Sequence, residues 1–188
     1  RTARTLCETA SPAFSFTADA EYVYCATADE VVRTGRRDGT LTRLPGGGAP
    51  LTAIVADSVR RTVYAGSRSG ELYRVSGDRL ARLNPKGARP RRIRDLAADS
   101  HGIVWVTSAE TGITRYNPAT DDYKHFEQQP YTVSYNIDTL TKIAEGGGLL
   151  WIKMNNWGFG YYDRERDEVK PFYNDPRQPN CPMTNAVV

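Results

Sequence analysis

Apolar and polar positions alternate along this chain in short bursts, each closed by Gly, Pro, Asp or Asn. Four bursts carry a central aromatic anchor. They are Tyr24 within Tyr22-Val23-Tyr24-Cys25-Ala26, Tyr64 within Val63-Tyr64-Ala65-Gly66, Trp105 within Trp105-Val106-Thr107-Ser108, and Trp151 within Trp151-Ile152-Lys153-Met154. Successive anchors stand 40, 41 and 46 residues apart, the period of a four-stranded propeller blade. An acidic residue (Asp19, Asp57, Asp99, Glu145) precedes each anchor, at the end of a run of small residues that includes Ala56, Ala98 and Ala144. After each anchor come a polar turn, a third apolar run and a fourth. Short runs rich in β-branched and aromatic residues between turn formers predict strands, and no segment sustains a helical period. The chain therefore reads as all-β, a single β-propeller segment over 1–188 with four-stranded antiparallel blades at about 13–44, 51–83, 93–127 and 140–173.

The joining segments 45–50, 84–92, 128–138 and 174–182 are rich in turn formers and predict blade-to-blade crossings. Partial strands are expected at 4–8 and 184–188. Blades need a neighbour on each face, so the expectation is a segment of a larger propeller, with a self-closed four-bladed ring as the other solution. An open segment would cover its ends by pairing with a second copy, a possible homodimer.

Composition narrows the class without naming a function. The chain has 188 residues, of which 39% are hydrophobic and 25% charged, ordinary for a folded domain. A net charge of +3 gives no dense basic face, so no nucleic-acid partner is expected. No apolar run is long enough to span a membrane. Cys7, Cys25 and Cys181 lack metal-site spacing, and Cys25 is expected to be a small core residue.

Blade 3 carries a more specific pattern, Asp99-Ser100-His101-Gly102-Ile103-Val104-Trp105-Val106-Thr107-Ser108 followed by Gly112-Ile113-Thr114-Arg115-Tyr116-Asn117-Pro118. It resembles the two-component regulator propeller repeat, and Gly148-Leu149-Leu150-Trp151-Ile152 with Tyr161-Tyr162-Asp163 repeats it in blade 4. Blades 1 and 2 depart from the pattern, with Tyr in place of Trp. The resemblance covers about 13–173. It implies the periplasmic sensor portion of a membrane-anchored hybrid histidine kinase, responding to oligosaccharides released from polysaccharides. The kinase itself is not in these residues, so no enzymatic activity is expected of the segment.

Candidate site residues follow from the topology. Turns between second and third strands emerge on the same face as the blade crossings, where repeat proteins bind ligands. Those turns hold Arg68, Glu110, Asn155, Asn156 and Trp157, and the crossings hold Tyr131, Tyr135, Arg89, Arg91 and Arg92, with Arg94 and Lys86 beside them. Asn amides suit sugar hydroxyls, aromatic rings stack on a pyranose, and guanidinium groups take carboxylates or sulfates. Each also has a plainer reading as turn, packing or solvated surface residue. Arg60 and Arg61, on the opposite turns, are expected to be plain surface residues. The four acidic residues are expected to cap backbone amides, and no metal or cofactor is expected. No nucleophile elbow or phosphate loop is present. A protein-interaction scaffold and a propeller lyase or glycosidase remain the alternatives.

Overall fold

The computed structural model describes residues 9–108, 112–126, 144–146, 149–154 and 158–172. These form sixteen strands in four antiparallel sheets of four, with no helix among the described residues. Sheet 1 comprises β1 (Ser15–Ala18), β2 (Tyr22–Ala26), β3 (Glu30–Gly35) and β4 (Leu41–Pro45). Sheet 2 comprises β5 (Leu51–Asp57), β6 (Thr62–Ser67), β7 (Leu72–Ser76) and β8 (Arg79–Arg82). Sheet 3 comprises β9 (Ile93–Ala98), β10 (Val104–Ser108), β11 (Gly112–Asn117) and β12 (Asp122–Phe126). Sheet 4 comprises β13 (Ala144–Gly146), β14 (Leu149–Met154), β15 (Gly158–Asp163) and β16 (Glu168–Phe172). Within every sheet the strands lie in sequence order. The first strands of successive sheets pack side by side, β1 on β5 and β5 on β9, a propeller-like arrangement.

The inner strands meet through side chains. The amides of Ile54 and Ala56 on β5 donate to the hydroxyls of Ser15 (3.3 Å) and Thr17 (3.1 Å) on β1. On the opposite face of β1, Phe16 is 80% exposed. Ala56 and Ala98 fall on inner strands but are half-buried, whereas Ala53 on β5 is fully buried.

The four anchors keep one register. Tyr24, Tyr64, Trp105 and Trp151 face Arg33, Arg74, Arg115 and Tyr161 on the neighbouring third strand. Tyr24 packs in the apolar core shared by sheets 1 and 2, Tyr64 in that of sheets 2 and 3, and Trp105 in that of sheets 3 and 4. Each of these three anchors is thus the hydrophobic plug between its own blade and the next. Trp151 is half-buried, and its neighbours Leu150 and Ile152 fill the core toward sheet 3 instead.

Asp19, Asp57 and Asp99 cap the first turns of sheets 1, 2 and 3. Asp19 accepts the amides of Glu21 and Tyr22, Asp57 those of Val59 and Arg60, and Asp99 those of His101 and Ile103. Polar stitches add to the apolar contacts between blades. Arg33 reaches Asp78 in the outer turn of sheet 2 at 2.6 Å, and Arg115 reaches Asp167 in the equivalent turn of sheet 4 at 2.7 Å.

Two expectations are corrected. Arg60 is no plain surface residue: its guanidinium pairs with Asp57 and bonds the Gly102 carbonyl of the next blade. Cys25 is half-buried, because alternation on β2 turns it to the face opposite the buried Tyr24 and Ala26. The predicted partial strands at 4–8 and 184–188 lie outside the described residues.

Candidate ligand-binding site

The crossing from sheet 2 to sheet 3 is held rigidly. The Lys86 amide donates to the Asp121 carbonyl at 2.9 Å, and the Tyr123 amide donates to the Lys86 carbonyl at 2.8 Å. This parallel bridge fastens the crossing to the edge of β12. Gly87 makes the approach possible. It has φ +91°, and a Cβ there would lie 2.9 Å from the Tyr123 carbonyl oxygen. Further along, Gly70 (φ +85°) lets the β6–β7 turn rest on the crossing, since a Cβ would overlap the Pro90 carbonyl. The Ser108 hydroxyl bonds the Arg91 carbonyl. The turn at 68–70, the crossing at 90–92 and the end of β10 are thereby fixed against one another.

A cavity of about 450 Å³ opens where they meet. Leu51 and Ile93, both fully buried, form its apolar floor. Pro50 and Thr52 add one wall, with the Thr52 hydroxyl donating to the Ile93 carbonyl at 2.6 Å. Phe14, 60% exposed, stands at the edge contributed by sheet 1. The remaining lining consists of Arg68, Arg92 and Arg94, all exposed. The volume lies within the range of small-molecule sites. Guanidinium groups over an apolar floor suit an acidic group carried on an apolar or ring-shaped body.

The fold brings together Arg68 and Arg92, which lie 24 positions apart in the sequence. Arg94 joins them. Arg91 is exposed and outside the lining, and Arg89 lines a separate, smaller cleft. Lys86 contributes backbone rather than charge to the architecture. Glu110, Tyr131, Tyr135, Asn155, Asn156 and Trp157 lie outside the described residues. Phe14 and Thr52 were missed by sequence reasoning. The signal available for Phe14 was its place just ahead of the first inner strand.

Beside the cavity, Glu71 ties the β6–β7 turn to its surroundings. It accepts from the Tyr73 hydroxyl (2.7 Å) and the Ser69 hydroxyl (3.1 Å), and pairs with Arg82 (2.9 Å). The Tyr73 hydrogen bond, joined by Ser69 and the nearby guanidinium groups, holds the Glu71 carboxyl below its ordinary range against the opposing effect of burial. Burial, then the bond to Glu71, pushes the Tyr73 hydroxyl up to about 12.

No family model and no curated protein matches the chain. Solved structures do resemble it in fold. One is reported as the extracellular domain of the hybrid two-component system BT4673 from B. thetaiotaomicron. It matches with a TM-score of 0.64 at 12% identity, over 92% of this chain and 24% of that one. A second structure of a BT4673 extracellular domain matches at TM-score 0.58 and 11% identity, over 97% and 31%. A catalytically inactive virginiamycin B lyase from Staphylococcus aureus with quinupristin matches at TM-score 0.67 and 14% identity, over 92% and 58%. The chain thus spans about a quarter of the first of these and little more than half of the lyase. At such identities the likeness establishes the fold alone.

Proposed function

We propose that this chain is the ligand-binding part of an extracytoplasmic propeller sensor, and that its cavity takes an acidic oligosaccharide. The observation that carries the reading is the set of Arg68, Arg92 and Arg94 around an apolar floor with Phe14 at the rim. Three guanidinium groups can engage a uronate carboxylate or a sulfate ester in bidentate fashion, while an exposed aromatic ring can stack on a sugar face. Likeness to the extracellular domain of a two-component system supports the sensor role. In this reading the propeller stands in the periplasm, and a membrane-anchored parent carries the kinase that receives the signal.

Calorimetry against paired neutral and uronate- or sulfate-bearing oligosaccharides tests the reading. Acidic members should bind, lose affinity with added salt, and bind about tenfold more weakly to Arg92→Ala, the loss of one charge-assisted contact. Equal binding of the neutral members, or an unchanged affinity in both Arg92→Ala and Arg68→Ala, rejects it. The likeness to virginiamycin B lyases favours a second reading, a propeller lyase. Shorter products released from the bound oligosaccharide would select that reading.

A further inference from the structure

A second cleft, of about 220 Å³, lies on the other flank of the crossing, between the outer strands of sheet 2 and β12. Leu72 and Leu83 line it, Gly87 and Arg89 come from the crossing, and Glu71 and Arg82 stand at its side. Its wall includes Tyr123. That residue is only 8% exposed, and its hydroxyl is buried with no hydrogen-bond partner.

A buried hydroxyl without a partner is costly to the fold. Two other tyrosines avoid that cost, for Tyr116 donates to Asp121 and Tyr73 to Glu71. Burial pushes the Tyr123 hydroxyl well above its ordinary range, with Arg89 opposing and Asp121 reinforcing the shift. It therefore remains a donor at any physiological pH. The charged groups around the cleft are Arg82, Arg89 and Glu71, and the carboxylate lies 2.9 Å from Arg82 but 3.9 Å from Arg89. The groups lining the cleft thus carry one negative charge against two positive ones, while the Asp121 carboxylate, which also acts on the Tyr123 hydroxyl, accepts from Tyr116. Arg89, half exposed and only loosely paired, is the group able to turn toward an incoming anion and open the path to Tyr123.

We propose that this cleft is a separate binding site for a monoanionic carboxylate, held by Arg89 with the Tyr123 hydroxyl as hydrogen-bond donor. The volume suits one sugar acid or a smaller carboxylate rather than an oligosaccharide. The site stands on the geometry of this cleft and does not depend on the arginine-lined cavity on the other flank.

The methyl groups of Leu72 and Leu83 report on the cleft directly. Titration of the purified chain with glucuronate, followed by methyl NMR, should shift both signals saturably, while glucose should not. Tyr123→Phe removes only an unbonded hydroxyl. It should fold with unreduced stability and bind glucuronate about tenfold more weakly, as expected for a lost hydrogen bond to a charged group. Arg89→Gln should weaken binding at least as much, and Arg92→Ala should leave these shifts intact even if it abolishes binding in the larger cavity. Shifts with acetate as well as glucuronate would identify any small carboxylate as the ligand, and shifts with glucuronate alone a sugar acid. Absence of shifts with both, equal shifts with glucose, or full affinity in Tyr123→Phe would overturn the proposal.

Discussion

The indole Nε1 of Trp105 donates to Oδ2 of Asp99 across 2.9 Å. The same oxygen accepts from Arg164 of sheet 4 at 3.0 Å, while Oδ1 caps two amides of the turn. One buried carboxylate thus orients the aromatic plug of a blade, closes its first turn and holds the next blade. Tyr24 and Asp19 repeat the relationship in sheet 1 at 2.9 Å.

Asp99→Ala should therefore destabilise the chain by about 2–4 kcal/mol, since the indole N–H and two turn amides lose their acceptor together, each at a cost on the order of 1 kcal/mol or more. Trp105→Phe should cost less, since it keeps most of the ring and only one donor is lost. Urea unfolding of both variants checks the order, and a near-neutral Asp99→Ala would refute the role of that carboxylate.

Gly70→Ala combines a left-handed backbone with a Cβ that would overlap Pro90. A loss of more than about 1 kcal/mol is expected, together with weaker binding in the large cavity, because the turn carrying Arg68 must move off the crossing. Gly77 is the control. It too has positive φ, but a Cβ there meets nothing, so Gly77→Ala should show the backbone cost alone and no change in binding.

Acid should loosen the β6–β7 turn through Glu71. Its carboxyl is held below the ordinary value of 4.5, so the unfolded chain takes up the proton first as pH falls. The contribution of this group is fully present above that ordinary value and fades as pH drops through the lower folded one. Urea midpoints measured from neutral into this acid range should decline less steeply in Glu71→Gln than in the parent. Parallel profiles would show that Glu71 is not a source of the acid sensitivity.

Core crowding on the inner strands should follow burial rather than residue type. Ala53→Leu, at a fully buried position of β5, should cost about 1–3 kcal/mol by overpacking. Ala98→Leu, on half-buried β9 backbone, should cost less. Thermal melts of the two variants give the comparison, and the reverse order would contradict the packing described.

The strands were legible because a blade repeats its chemistry: an acid, a turn and an aromatic anchor return with nearly constant spacing. The shared register of Tyr24, Tyr64 and Trp105 reflects that one requirement for a plug between neighbouring sheets. The candidate site was legible only in part. Arg68 and Arg92 could be assigned to one face from topology, but their convergence depends on Gly70 resting on Pro90, a tertiary contact with no local signature. Phe14 owes its place to the start of β1 beside β5. Arg60 was misjudged because its partner, the Gly102 carbonyl, belongs to the next repeat, and backbone acceptors leave no trace in a pattern of side chains.

The hydroxyls of Ser15 and Thr17 have a meaning beyond packing. An amide on the rim of a sheet is ordinarily an invitation to any passing extended chain. Along β5, Ile54 and Ala56 have had theirs answered by their own neighbour, by side chains too short to extend a ladder. A foreign strand arriving at that rim would find its docking points occupied, so the innermost edge of this blade is insulated against templated aggregation by two hydroxyl groups.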